Sequence, residues 1–373
     1  MENQDLLTLR SPGRINLIGE HTDYNQGFVL PAAINLAIRF RLEPNGEPHL
    51  ARFRSEDLDA SFTADLGHIC PGQGWENYLL GVLHQLALRG ISIPGFDCSL
   101  VSDLPVGAGL SSSAALECGL AWGLNELFGL GLEARELIEL SQAAEHTYVG
   151  TQCGIMDQFA CVMGRAGHFM LLDCRTLEHR YIPAVLGDYG LLLLNSGVTH
   201  SLASSAYNRR REECAEGVTL LARSFEGVAS LRDATPAMLA DIRPSMPETL
   251  YNRCKYVVEE NLRVLEATRA LEEGRMEDLG ALLLQTHAGL SQLYEVSCEE
   301  LDFLVEVARH MPGVAGARMM GGGFGGCSLN LVRKEAIPEF SRAMAQRYRE
   351  TFGKELVPIE VALGQGVSAL PGF

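Results

Sequence analysis

The sequence predicts an α+β chain of two domains, and three observations carry that expectation. Its 373 residues are more than twice the roughly 150 of an ordinary single domain. Helical and strand-like hydrophobic periods are interleaved in both halves rather than segregated. Strand patterning returns from His168 onward, and a change of domain expected between about residues 175 and 195 places the division at 1–180 and 181–373.

Ile34–Leu42 and Phe96–Ser102 read as strands, and Trp75–Arg89 as a helix with Tyr78, Leu79, Val82, Leu83 and Leu86 at helical spacing. A glycine-rich turn, Pro105–Gly109, feeds a serine run and a helix whose apolar positions are Leu116, Leu120, Leu124 and Leu127. Glu133–Tyr148 is a second amphipathic helix, stopped by Gly150. His168–Asp173 and Gly190–Asn195 return to strand patterning. The stretch 207–310 is mostly helical by periodicity and rich in arginine and glutamate. Two strand-like segments, Val314–Met320 and Ser328–Val332, follow with glycines between them, then a helix over Ile337–Thr351 and a strand over Val357–Ala362. No fixed-period repeat is present, which excludes solenoids and propellers.

Composition narrows the function classes. With 47% apolar and 21% charged residues the chain is globular. Its 30 Lys and Arg against 47 Asp and Glu give a net charge of −17, a field that repels nucleic acid and anionic lipid. We therefore expect no nucleic-acid partner and no membrane. The greasiest run, Tyr189–Val198, is far shorter than the roughly 20 residues that span a bilayer. Met1–Leu9 has neither the basic nor the apolar region of a leader. Among ten cysteines the closest pair, Cys153 and Cys161, lies eight positions apart, so zinc-ribbon and thioredoxin chemistry are excluded. Scattered thiols of this kind fit a reducing compartment, and a cytoplasmic location is expected. A phosphorylated ligand would need a local cradle of backbone N–H groups, a metal, or both.

Pro105-Val-Gly-Ala-Gly-Leu-Ser-Ser-Ser-Ala-Ala115 has the make-up of such a cradle. Glycines let backbone N–H groups approach a ligand, and serines add hydroxyls at a helix N-terminus whose dipole favours an anion. A capped turn is the plainer reading, yet capping needs one hydroxyl, not three. The G-K-[S/T] ending of a Walker loop is missing. Gly321-Gly-Gly-Phe-Gly-Gly326 satisfies G-x-G-x-x-G, but a strand-like Cys327–Val332 follows where a dinucleotide fingerprint needs a helix. A plain hairpin, or a turn approaching a ligand or the first glycine loop, are both open. Arg14, Glu20, His21 and Asp23 crowd ten positions beside apolar residues. They form either an ion-pair network or a polar pocket that reads sugar hydroxyls. Metal binding through His21 lacks a second histidine at ligand spacing. Glu145 alone reads as a solvated helix residue, and Asp157 as a charge complementing a helix N-terminus.

Taken together, these motifs resemble a known family. Arg14, Asn16 and Gly19-Glu-His-Thr-Asp-Tyr-Asn-x-Gly27 resemble the galactokinase signature. Gly107–Ala115 is similar to the phosphate-binding motif of the wider family of homoserine, mevalonate and phosphomevalonate kinases, and Gly321–Gly326 to its third motif. Cys153–Phe159, Asp173-Cys-Arg175 and His200–Tyr207 support the match, which runs in order over most of the chain. The resemblance implies a small-molecule kinase fold, with an N-terminal α/β domain, a C-terminal α+β domain and the active site in the cleft. It implies ATP-dependent phosphorylation of the anomeric hydroxyl of galactose, with Mg²⁺ as cofactor and galactose and ATP as ligands. A monomer is expected, a homodimer staying open. By position, Asp157 matches the catalytic aspartate and Arg14 the arginine beside it and the transferred phosphoryl. Ser113 and Glu145 match the magnesium ligands. Gly107, Ala108, Gly109, Leu110, Ser111, Ser112 and Ser113 match the triphosphate loop, and Glu20, His21, Thr22, Asp23, Gly154 and Tyr207 the sugar contacts. Ser55, Trp75 and Tyr78 resemble further nucleotide contacts. Whether Asp157 abstracts the proton or orients the hydroxyl is open at this stage. Thr199 departs from the family, standing where many members carry a lysine or arginine. Two alternatives are a sister kinase for N-acetylgalactosamine or another pyranose, and a non-catalytic galactose- and ATP-binding regulator. The intact Ser111–Ala115 run, with Arg14 and Asp157, disfavours the regulator.

Overall fold

Pro12 and Gly13 interrupt a run that nevertheless forms a strand, β1 (Leu7–Asn16). Its pairing register shifts between Pro12 and Arg14, a bulge that absorbs the interruption. Gly13 is needed there, because a Cβ would lie 2.7 Å from the carbonyl oxygen of Leu110. That close approach lets the Arg14 N–H donate to the same carbonyl at 3.1 Å, so β1 touches the glycine–serine loop directly. The structure, a computed structural model, describes residues 6–199 and 203–370.

The first half continues through β2 (Phe28–Val29), β3 (Pro31–Pro44), β4 (Leu50–Ser55), β5 (Ala60–Asp65), α1 (Glu76–Leu88), β6 (Phe96–Ser102) and α2 (Ser112–Phe128). It ends with α3 (Ala134–Ala144), α4 (Met156–Met163), β7 (His168–Asp173) and β8 (His179–Pro183). The second half holds β9 (Tyr189–Asn195), α5 (Ala203–Ser224), α6 (Pro236–Ile242), α7 (Glu248–Glu272), α8 (Met276–Ala288) and α9 (Glu299–Ala308). After these come β10 (Val314–Met319), β11 (Cys327–Arg333), α10 (Ile337–Phe352), β12 (Val357–Glu360) and β13 (Ser368–Ala369).

Among the described residues the strands build three sheets, in the orders β13-β1-β3-β6-β4-β5, β10-β11-β9-β12 and β2-β7-β8. Of these pairs only β4 with β6 is parallel. Strand β9 is buried on both faces, which explains its unbroken leucine run. Leu191 and Leu193 join the core shared with α1, α2 and α3, whereas Leu192 and Leu194 join a second core built with α5, α7, α9 and α10. The tail after β12 crosses back: the Val367 N–H donates to Cys161 at 2.8 Å, and β13 pairs with β1 at Leu9 and Ala369. The last residues of the second half thus complete the first half's sheet.

The helix expected over Glu133–Tyr148 divides in two. Its α-helical ladder ends with Ala144, and Glu145–Val149 forms one wider π turn closed by Gly150 at φ 83°. That turn positions Glu145.

Candidate active site

Two cavities meet at one ion pair. The larger, about 850 Å³, is lined by Ser55, Trp75, Tyr78, Gly107, Gly109, Leu110 and Ser111–Ser113. The smaller, about 170 Å³, is lined by Glu20, His21, Asp23, Glu145, Gly154, Tyr207, Gly321 and Gly322. Arg14 and Asp157 line both.

Arg14 leaves the bulge of β1, and Asp157 stands in the first turn of α4. Nε and Nη2 of Arg14 donate to Oδ1 and Oδ2 of Asp157 at 2.6 and 2.7 Å, and Nη1 donates to the Gly109 carbonyl at 2.6 Å. The guanidinium therefore fixes the aspartate against the glycine loop. Ser111 sits in the left-handed region at φ 56°, strained for a residue with a side chain, and its hydroxyl donates to Asp157 Oδ2. Ser112 and Ser113 instead open α2 beside the larger cavity. Ala108 is buried and lines neither cavity. A Cβ at Gly321 or Gly326 would lie 3.2 Å from the carbonyl oxygen of Gly109 or Ala108, so the third glycine segment lies on the first glycine loop.

The signature residues divide by orientation. Asp23 is buried at the smaller cavity, and burial first, then the charge of Asp157, push its carboxyl up to about 7. Gly154 packs directly on it: a Cβ there would lie 1.8 Å from Asp23 Oδ2. His21 Nε2 lies 3.2 Å from the Gly322 carbonyl, which can only accept, so Nε2 carries the proton. Nδ1 then accepts from the Tyr24 hydroxyl at 2.8 Å. This neutral form agrees with the pKa of His21, which burial lowers to about 4. The Tyr207 ring lies 5.1 Å from that of His21. Thr22 turns away from both cavities, and its hydroxyl meets the carbonyls of Gly19 and Phe28 at 2.8 and 2.6 Å, stapling the turn. Thr199 packs its methyl group toward Gly107, where a Cβ would lie 2.4 Å from it. Of the supporting segment His200–Tyr207, residues 200–202 lie outside the described residues.

Glu117 escapes the motifs. Glu117 is fully buried in α2, and Gln158 Nε2 donates both to Glu117 Oε2 at 3.2 Å and to Glu145 Oε2 at 3.0 Å. Its signal was a lone charge in the otherwise apolar Ala114–Ala121 stretch. Glu145 is pushed up to about 7 by burial, then by the charge of Asp157. Glu117 Oε1 is buried without a partner. Glu145 and Asp157 line the smaller cavity, whereas Glu117 lines neither and reaches Glu145 only through Gln158; carboxylate oxygens are hard donors of the kind a divalent cation takes. Among the described residues no group of three or more His, Cys, Asp or Glu forms a metal cage. A bound ion would therefore complete its shell with ligand and water oxygens.

Comparison with known proteins decides the family. The galactokinase galactose-binding signature matches residues 2–44, the GHMP kinases N terminal domain residues 77–165, and the GHMP kinases C terminal domain residues 267–350. A galactokinase of Thermotoga neapolitana is 41% identical over 364 residues, covering 98% of this chain and 100% of its own. The chain belongs to the galactokinase family. A Roseiflexus galactokinase is 41% identical as well, covering 93% of this chain and 88% of its own. The crystal structure of Lactococcus lactis galactokinase complexed with galactose has a TM-score of 0.94 at 35% identity, covering 98% of this chain and 96% of that one. A Methanococcus jannaschii mevalonate kinase, at 19% identity and TM-score 0.69, shares the fold. Membership makes the chain an ATP-dependent sugar kinase of two-domain α+β fold. Among the described residues no helix is long and apolar enough to cross a membrane.

Proposed function

We propose that the chain transfers the γ-phosphoryl group of ATP to the anomeric hydroxyl of galactose, giving galactose 1-phosphate. One observation carries this reading: the Arg14–Asp157 pair is shared by a cavity walled by the serine loop and a cavity walled by the sugar signature. ATP occupies the larger one, with its phosphates against Gly107–Ser113 and the N-terminus of α2, and its base beside Trp75, Tyr78 and Ser55. Galactose occupies the smaller one, held by Glu20, Asp23, Gly154 and Tyr207, with His21 and Thr22 shaping the turn. Residues 1–180 supply the signature and phosphate loop, and 181–373 the third glycine motif and Tyr207.

Phosphoryl transfer asks for positioning and charge neutralisation more than covalent help. Asp157 accepts the hydrogen bond of the anomeric hydroxyl and takes its proton as the oxygen attacks phosphorus. Arg14 holds Asp157 in place and faces the transferred group. The Ser113 hydroxyl and the Glu145 carboxylate are the groups that would hold Mg²⁺, which when bound neutralises phosphate charge. Thr199 adds no cation beside Gly107, so the loop relies on its N–H groups, Arg14 and the metal. We read the enzyme as cytoplasmic, in keeping with its ten free cysteines, and as a monomer, with a homodimer left open. A coupled assay of ADP release over a sugar panel tests the reading. Galactose should give the highest kcat/KM, then 2-deoxygalactose, with N-acetylgalactosamine and glucose poor. If N-acetylgalactosamine were the better substrate, the kinase reading would stand and the substrate reading would not.

A further inference from the structure

We propose that Arg318 is a positioning residue for the sugar cavity, acting through Glu20; the inference rests on the sugar reading given above. Arg318, on β10, is completely buried. Its guanidinium donates to the carbonyls of Asn16, Leu17 (2.8 Å) and Met319 (2.6 Å), and to Glu20 Oε1 at 3.1 Å. Glu20 Oε1 also accepts from the Gly321 N–H at 2.8 Å, and Oε2 accepts from Asn16 Nδ2 at 3.1 Å. A carboxylate offers about four acceptor directions, so these three partners leave one for a hydroxyl in the cavity that Glu20 lines.

The same contacts tie together two walls that are some 300 positions apart in the chain. The signature turn supplies Asn16, Leu17 and Glu20, and the third glycine segment supplies Gly321 and Gly322. The His21 bond to Gly322 is a second tie across the same gap. Neither Arg318 nor Glu20 lines the larger cavity, which this arrangement reaches only indirectly, through Gly321 packed on Gly109. Loss of Arg318 should therefore fall first on the sugar side, whose cavity Glu20, Gly321 and Gly322 line directly. Lysine cannot replace it, because a single ammonium cannot reproduce a planar fork that serves acceptors in several directions.

The test compares wild type with Arg318→Lys and Arg318→Met. We expect the galactose KM to rise about tenfold or more while the ATP KM stays within about threefold, since a charged hydrogen bond to the ligand-holding group is weakened. An unchanged galactose KM, or both KM values rising together as general loosening would make them, overturns the proposal. Should both variants fail to fold, hydrogen exchange on the wild type decides. Galactose should slow exchange in residues 318–324, and a non-hydrolysable ATP analogue alone should not. No slowing by galactose, or equal slowing by both, overturns it. A wild type that does not phosphorylate galactose would defeat the underlying reading, whereas an active wild type with an unaffected Arg318→Lys defeats this inference alone.

Discussion

Arg14 and Asp157 stand 143 positions apart in the chain and meet through two parallel hydrogen bonds of 2.6 and 2.7 Å. Paired in this way, neither side chain can rotate without breaking both bonds. The bulge of β1 and the first turn of α4 are thereby held together at the place where the two cavities join.

This relationship makes Asp157→Asn informative. An amide keeps the size of the side chain and loses the capacity to take a proton. We expect kcat to fall about 10²- to 10⁴-fold, with galactose binding and the circular dichroism spectrum kept. Turnover within about threefold of wild type would remove the proton-accepting role.

Glu145→Ala addresses the metal. If Glu145 and Ser113 are the protein's handles on Mg²⁺, the half-saturating Mg²⁺ concentration at fixed ATP should rise while the galactose KM changes little. Titration of Mg²⁺ against initial rate reads this directly, and an unchanged half-saturation would rule out Glu145 as a ligand.

Asp23 sets a pH dependence. Its carboxyl is raised to about 7 in the folded chain, against about 3.9 in an unfolded one. Between those values the folded state binds more protons, so this group's contribution to stability is present at acid pH and is lost as pH rises through about 7. His21, lowered to about 4, acts in the opposite sense up to its ordinary value of about 6.5, so wild-type Tm alone mixes the two. The difference in Tm between wild type and Asp23→Asn isolates Asp23. Without ligands it should move against the wild type from about pH 5 to 8. A flat difference would show that Asp23 is not held protonated.

Gly154→Ala and Asp23→Ala should act alike. The first puts a methyl group where Asp23 Oδ2 now lies, and the second removes that oxygen. A site built to bind a hydroxyl loses much of its discrimination once a polar partner is displaced. For both variants we expect galactose kcat/KM to fall at least about tenfold. A Gly154→Ala enzyme with normal kinetics would show that the contact with Asp23 does not serve the sugar.

Much of the fold was legible because it rests on local periods. Phe96–Ser102 and His168–Asp173 have the expected ends, α1 and α10 differ from expectation by at most one residue at either end, and α2 spans the expected apolar positions Leu116, Leu120, Leu124 and Leu127. What was missed depends on distant partners. Pro12 and Gly13 hide β1 from any alternation rule, and only the bulge against β3 restores the strand. The two-residue strands β2 and β13 exist only because β7 and β1 pair with them. In the helix expected over Glu133–Tyr148 the hydrophobic spacing does not register the π turn that aims Glu145. The site shows the same limit. Motifs brought out Arg14, Asp157 and the serine loop, whereas Glu117 and Arg318 were single charges in apolar segments. Their partners, Gln158 and Glu20, lie 41 and 298 positions away.

Where the phosphoryl group arrives is the most direct question to put to this enzyme. Phosphorus and proton NMR of the product formed from ATP and galactose answer it in one spectrum. We predict a single sugar phosphate whose phosphorus couples to the anomeric proton, because the proposed function puts the carbon-1 hydroxyl between Asp157 and the serine loop. A phosphate on carbon 6, or ADP formed without any phosphorylated sugar, would contradict the placement of galactose beside Asp157.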